Sequence, residues 1–494
     1  MNRSRQKGIA LILTLILLFV LSVMAVSLMF VSQTETWSSL NYRLTSQARD
    51  GAEAGINSAA NYIVNTYTEP GGVGDPITAY STTVSPVTYG GTPVYLSTMT
   101  TPAPNYPVAA VQTAFNTAGV GKGSLTAGNN TINYNTYAEL ISMPQAFKAY
   151  GSTNNTTVQT WQIVSIGSIN SVRNSQVEVS AILEQHRTPT FNYAAFATDN
   201  GCGALNFGGG GNTNSYDSSA ALSGGLPVTS ATFGNVGTNG NLATSGSPTT
   251  LNGTLSTPRT GVGACSAGNV TAWSASSGNV TGGLVQLPQT IVYPAPTVPP
   301  AGTVDISSNS SCPTVAAMVI AGGTCTSSSV MTLAPSIAGG TMSLHALTLT
   351  GNQDLHLAAG TYNIDSLTET GNTALVLDSV PVIFNVTGSG GGTVIQLTGG
   401  GVVNTTGNFD PTTFQILYSG SGTVSLKGGA NAVGLLYAPN ASFSFAGGSD
   451  WYGAVIGKDM TDMGGAAVHY DRTLQNKSFT VGPWMLDSFT WKKY

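Results

Sequence analysis

The chain has 494 residues, of which only 7% are charged, with 61 glycines and a formal charge of −5. An average soluble domain is about 25% charged, so this surface must be built from Ser, Thr, Asn and Gly, which fits an extracellular β-rich protein and argues against a cytosolic enzyme. The sequence has no basic cluster to meet phosphates, so no nucleic-acid partner is expected.

The first predicted element is a helix. A basic leader, residues 1–8 with Arg3, Arg5 and Lys7, runs into twenty-three uncharged residues from Ile9 to Val31. About 20 residues span the hydrocarbon core as a helix, whereas a signal peptide has an apolar stretch of about 7–15 residues and a small-residue cleavage site. The pattern then continues without proline from Ser32 to Tyr67. Leu40, Leu44, Ala48, Ala52, Ile56, Ala59 and Ile63 recur every three or four residues, the stripe of an amphipathic helix. Pro70-Gly71-Gly72 stops it. Residues 9–67 are therefore read as one helix, lipid-soluble in its first half and one-sided in its second.

Lys7-Gly8, the run Ile9-Ala-Leu-Ile-Leu-Thr-Leu-Ile-Leu-Leu18 and the stretch Gln47-Ala-Arg-Asp-Gly-Ala-Glu-Ala54 together resemble the amino terminus of type IV pilins and pseudopilins, most closely the PilX-type minor pilins. The resemblance implies that a prepilin peptidase cuts after Gly8 and methylates Ile9, with residues 1–8 as leader. Arg3, Arg5 and Lys7 would hold that leader cytoplasmic, and their removal would take the formal charge from −5 to −8. Implied partners are the peptidase, the inner membrane before assembly, and other pilins through the helix. Major pilins carry a glutamate early in the apolar run to neutralise the terminal ammonium. Here that position is Leu13, and an unpartnered ion in the bilayer costs about 2.5–3.5 kcal/mol or more. Such a subunit suits a rare or terminal place better than repeated addition, a lack that PilX-type and GspK-type subunits share.

The expected fold class is α+β: the long helix, a small pilin-like β head over 68–190, then a large all-β region. In the head, Thr160 to Ser168 and Ser175 to Leu183 read as two strands joined by a loop at 169–174, and Val177, Val179, Ala181 and Leu183 alternate with polar neighbours. Residues 191–293 turn to Gly, Ser, Asn and Thr, with Gly-Asn-Val at 234–236, 268–270 and 278–280, expected as short strands with Asn-Gly turns against the alternative of a disordered linker. A Pro-rich spacer of polyproline character is expected at 294–302.

Within 303–472 an internal repeat appears. Leu347 to Ser366 aligns with Leu367 to Val386 and more loosely with the next twenty residues. Gly351, Gly371 and Gly391 fall in step, as do Leu355, Leu375 and Ile395, and Leu357, Leu377 and Leu397. A parallel β-solenoid requires that register, because each coil lays its apolar side on the next, while a sandwich has no reason to keep it. Residues 473–494 are expected as a cap or tail, with Trp484, Met485, Leu486, Phe489 and Trp491 over an open solenoid end.

Four cysteines, Cys202, Cys265, Cys312 and Cys325, lie beyond the membrane helix, and an even number in an exported chain suggests disulfides. Of three pairings, Cys312 with Cys325 closes the shortest loop and leaves Cys202 with Cys265. No Cys-x-x-Cys occurs, so a zinc site is not expected. Asp354, Asp365, Glu369 and Asp378 are close in sequence but off the twenty-residue period, and are read as solvated turn residues and not as the facing carboxylates of a glycosidase. His186, His345, His356 and His469 form no catalytic or metal motif. Asp459, Asp462 and Asp471 lack the spacing of a calcium loop. No catalytic residue, metal or cofactor is expected.

The reading is a minor pilin of a type IV pilus, low-copy or tip-located, serving assembly or adhesion through a surface or glycan ligand. It would sit single-pass in the inner membrane with its carboxy-terminal region periplasmic, then in an extracellular pilus. The alternatives are a pseudopilin of type II secretion and a membrane-tethered β-helix carbohydrate-active enzyme.

Overall fold

The computed structural model describes residues 5–493 apart from 72–73, 129, 144–145, 153–154, 171–173, 247–248, 276–277, 309, 328–329, 389–391, 428–431, 447 and 449. They form two compact units: Met1–Ala146, Thr156–His186 and Trp484–Tyr494 make the first, Phe147–Asn155 and Arg187–Pro483 the second. A long apolar helix is thus followed by a large, mostly β region.

In the first unit one unbroken helix covers Arg5–Asn65. Leu44, Ala48, Ala52, Ile56, Ala59 and Ile63 of the expected stripe are buried, and Leu40 packs on the same core. The stripe can lie flush on a sheet because it is made of small residues. A Cβ on Gly51 would run into Ile132, one on Gly55 into Ser165, and one on the facing strand's Gly167 into the Ala48 carbonyl. The sheet beneath runs Phe479–Lys493, Ser175–Pro189, Thr160–Ile169, Asn130–Ser142 and Tyr95–Ser97, with Lys122–Ala127 also on Asn130–Ser142. Thr160–Ile169 and Ser175–Pro189 pair antiparallel from Ser175 on Ile169 to Glu184 on Thr160, and Val177, Val179, Ala181 and Leu183 point into the core at 2% exposure or less. The middle of the connecting loop, 171–173, lies outside the described residues.

The expected cap at the chain's end needs correction. Residues from Trp484 onward belong to the first unit, in the strand Phe479–Lys493 hydrogen-bonded to Ser175–Pro189. Ser180 Oγ and Thr490 Oγ1 lie 2.6 Å apart, and the Arg49 guanidinium lies 5.9 Å from the Trp491 ring centre. An edge strand carries a row of unpaired N–H and C=O groups, and here the chain end satisfies them.

In the second unit parallel strands recur in threes. Thr341–Ser343, Ala346–Leu349 and Leu355–Leu357 are overlaid by Gly360–Ile364, Ser366–Glu369 and Leu375–Leu377. Leu347 faces Leu367, Leu355 faces Leu375, and Leu357 faces Leu377, so the twenty-residue phase of the sequence is the pairing register. The third repeat slips. Leu367 faces Ile395 and not Thr387, the residue the phase would bring opposite it, and Leu375 faces Val402 instead of Ile395. The delay begins before Val382, which faces Gly360 across 22 residues, and grows after Val386, where Gly391 lies outside the described residues.

One inward column runs Met342, Tyr362, Phe384, Ile416, Leu436, Val455, Ala195, Val236, Leu255, each on the next and each at most 1% exposed. The column passes from residue 455 back to 195. Regions 191–293 and 303–472, expected as separate domains, therefore share a single 22-stranded sheet, joined where Ala195 pairs with Val455 and Thr213 with Val468. The Pro-rich stretch is accordingly no interdomain spacer but a connection held within this unit. The Asn239 side chain accepts from Ile291 N and donates to Ile291 O, both at 2.8 Å, imitating a strand partner. Tyr437 OH donates to Pro294 O at 2.7 Å, and Tyr293 is buried against Phe196 and Tyr437.

Candidate functional site

Gly8 and Ile9 lie inside the helix Arg5–Asn65, Ile9 being 62% exposed. Arg3 is outside the described residues, as are the side chains of Arg5 and Lys7. From Ile9 to Thr34 the helix has no charge, and its large side chains project away from the protein, Leu13 at 62% and Phe19 at 68% exposure. Three of its hydroxyls bond back to the helix. Thr14 donates to Ala10 O at 3.0 Å, Ser22 to Leu18 O at 2.5 Å and Thr34 to Phe30 O at 2.8 Å. With its backbone and these three hydroxyls bonded within the helix, this half is fit for lipid or for packing among similar helices.

Cys202 is bonded to Cys265 and Cys312 to Cys325. The second bridge ties the strand Gly323–Ser327 to the approach of the short helix Val315–Ala321, whose first turn Thr314 caps through its hydroxyl and Ala317 N.

The four acids near the repeat are engaged separately, each with a neighbouring repeat. Asp354 accepts from Ala374 N at 2.7 Å, Asp365 from Thr387 Oγ1 at 3.1 Å, and Asp378 lies 2.7 Å from His356 Nδ1. Glu369 departs from the solvated-turn expectation. It is fully buried, accepts from Gly401 N at 2.8 Å and from Gly399 N at 3.4 Å, and burial pushes its carboxyl above the usual range against those bonds. The peptide N–H groups of a turn satisfy it, which nothing in its own sequence neighbourhood signals.

The histidines are dispersed, each beside its own carboxylate: His186 by Glu184, His345 by Asp305, His356 by Asp378 and His469 by Asp450. The Asp305 hydrogen bond raises His345, while burial lowers His469. Among the described residues no group of three His, Cys, Asp or Glu is arranged to hold a metal ion. Asp471 serves as a cap, accepting from Thr473 N at 3.0 Å and Ser218 N at 3.2 Å. The side chain of Asp462 lies outside the description. What sequence reasoning missed is a polar cleft assembled by residues 217–219, 408–410 and 472–477, three segments too far apart in the chain to signal one another.

Comparison with known proteins gives the class. Residues 7–57 match the PilX N-terminal family, and residues 340–477 match a domain of unknown function (DUF7305). Residues 7–57 are thus similar to the amino terminus of PilX-type pilins, and a large carboxy-terminal region follows them. The crystal structure of competence-associated pilin ComZ from Thermus thermophilus matches over 76% of this chain and 88% of that chain, at 12% identity and a TM-score of 0.23, too low to bear on fold or function. No curated protein matches.

Proposed function

We propose that this protein is a minor pilin of a type IV pilus, present at low copy or at the tip, whose second unit is a parallel β-solenoid that serves assembly or adhesion. The observation that carries the reading is the pairing of an uncharged Leu13 with a second unit of 306 residues, Arg187–Pro483 with Phe147–Asn155. Without a charge partner for its terminal ammonium the subunit is poorly suited to bulk polymerisation, and so large a unit is ill matched to repetition at the short rise of a fibre. A prepilin peptidase cuts between Gly8 and Ile9 and methylates Ile9, leaving a single-pass inner-membrane protein with its β region periplasmic until incorporation, where other pilins pack on the apolar helix. The protein is not an enzyme, a reading supported by the separate engagement of Asp354, Asp365, Glu369 and Asp378. Parallel strands stacked three to a repeat support the solenoid. Deleting the gene tests the function: piliation or adhesion falls while secretion continues. Lost secretion with intact pili would instead make it a type II secretion pseudopilin, and absence of label on sheared pili probed with antibody to residues 340–470 would contradict incorporation.

A further inference from the structure

Charge is scarce in the second unit, and it is not spread evenly. Residues 187–483 contain six Lys or Arg, and two of them, Arg472 and Lys477, line one cleft of about 690 Å³ together with Asp217, Asp410, Asn408 and Asn476. That volume lies within the range of about 300–1,000 Å³ typical of ligand sites. Every residue of the wall is of polar type, Ser218, Ser219 and Thr473 completing it. Its apolar surface comes from the carbon atoms of those polar residues, so apolar patches and hydrogen-bonding groups are interspersed, as they are on a sugar ring.

The groups are held in place before any ligand arrives. Lys477 Nζ lies 2.6 Å from Asp410 Oδ2, while the other Asp410 oxygen accepts from Thr412 N at 3.0 Å and Thr412 Oγ1 at 2.7 Å. Asp217 Oδ1 accepts from Ser219 N at 2.9 Å, and its Oδ2 lies 3.8 Å from Arg472 Nη2. The Ser219 hydrogen bonds, with Arg472 and Lys477 behind them, keep Asp217 below the usual carboxylate range. Asp410 is likewise held down, Lys477 and Thr412 outweighing the burial that would raise it. Both acids are thus ionised at neutral pH and each faces a cation, Asp217 towards Arg472 and Asp410 towards Lys477, and with the Asp471 carboxylate behind Ser218 N and Thr473 N there is no surplus of positive charge to draw an anion into the cleft. It offers acceptors beside donors at hydrogen-bond spacing, which matches hydroxyls, since each hydroxyl both donates and accepts. Fixed side chains also lose little entropy on binding.

We propose that this cleft binds neutral saccharide units of a surface glycan through Asp217, Asp410, Arg472, Lys477 and the two asparagines. The proposal rests on the reading of the second unit as the displayed part of a surface pilin, and gives that display its ligand class. The test uses the full chain in detergent, titrated with maltotriose, mannotriose and cellotriose as neutral probes and with trigalacturonate as the charged counterpart. At least one neutral trisaccharide is expected to bind, more tightly than trigalacturonate, and binding is expected to weaken tenfold or more in Arg472→Met and in Asn476→Ala. Asn476 is exposed at the end of the turn Arg472–Asn476, so Asn476→Ala decides should Arg472→Met lower the melting temperature. Absence of binding by all three neutral probes, tighter binding of trigalacturonate, or unchanged affinity in Asn476→Ala would overturn the proposal. A chain that binds a neutral probe yet never labels pili defeats the pilin reading alone, and a pilus-borne chain that binds none defeats this one alone.

Discussion

Gly167 shows how much one hydrogen atom can decide. Its α-carbon faces the backbone of Ala48 and Ala52 so closely that any side chain would overlap it, and backbone cannot swing aside as a side chain end can. Gly167→Ala is expected to cost about 1–3 kcal/mol, the usual penalty of overpacking, read as a lower denaturation midpoint of the first unit in detergent. His469 gives a pH dependence. It is buried, stacks on Tyr452 with ring centres 4.3 Å apart, donates from Nδ1 to Asn214 at 2.5 Å, and has Asp450 3.5 Å from Nε2. Burial lowers its pKa, so the unfolded chain holds the proton more tightly. The resulting stability is complete above the ordinary value of about 6.5 and is lost as pH falls through it towards the folded value, by at most about 1.4 kcal/mol per unit. Melting followed from pH 7.5 to 5 should show a decline in the second unit that His469→Gln flattens. At this scale the sequence was partly legible. The stripe from Leu44 to Ile63 was plain from its period, whereas Gly167, Glu369 and His469 take their roles from residues far along the chain.

Elements whose pattern is local could be read directly, and those defined by a distant partner could not. The hairpin Thr160–Ile169 with Ser175–Pro189 follows from its own alternation, and the twenty-residue phase over 347–377 appears as register. The last strand, Phe479–Lys493, has apolar residues that suit a cap equally well. Only the unpaired edge of Ser175–Pro189 assigns it to the head sheet, and that edge is almost three hundred residues upstream. Truncation after Pro483 should therefore weaken the first unit, at about 1 kcal/mol for each ladder bond lost, and make 175–186 newly sensitive to protease while the second unit melts as before. The disulfides act on the second unit. Cys202–Cys265 closes a separation of 63 residues and Cys312–Cys325 one of 13, and chain entropy favours the longer loop by about 1.4 kcal/mol. Replacing the first pair by serine should lower the unfolding midpoint more than replacing the second.

Across the whole second unit the order of strands in space is not their order in the chain. The strands of 195–216 lie between those of 236–251 and those of 450–471, so the middle of the sheet is closed by residues some 250 positions apart. The stretch 287–305, which contains no helix or strand, links Leu284–Gln286, paired with Leu255–Thr257, to Ile306–Ser307, paired with Ala346–Leu349. Neither half can be complete alone. A fragment of 303–483 would expose the edge at Val455 and Ile456, which Ala195 and Phe196 cover, and an open apolar strand edge invites aggregation. That fragment is expected to be insoluble, and coexpression with 187–300 is expected to rescue it as a complex. Conversely, a protease site placed within 297–301 of the intact chain should be cut without separating the halves, because the paired strands and not the connection hold them. If 303–483 instead purified as a stable monomer, the joint at Ala195 and Val455 would contribute little, and the Gly/Asn-rich region would be an independent domain after all.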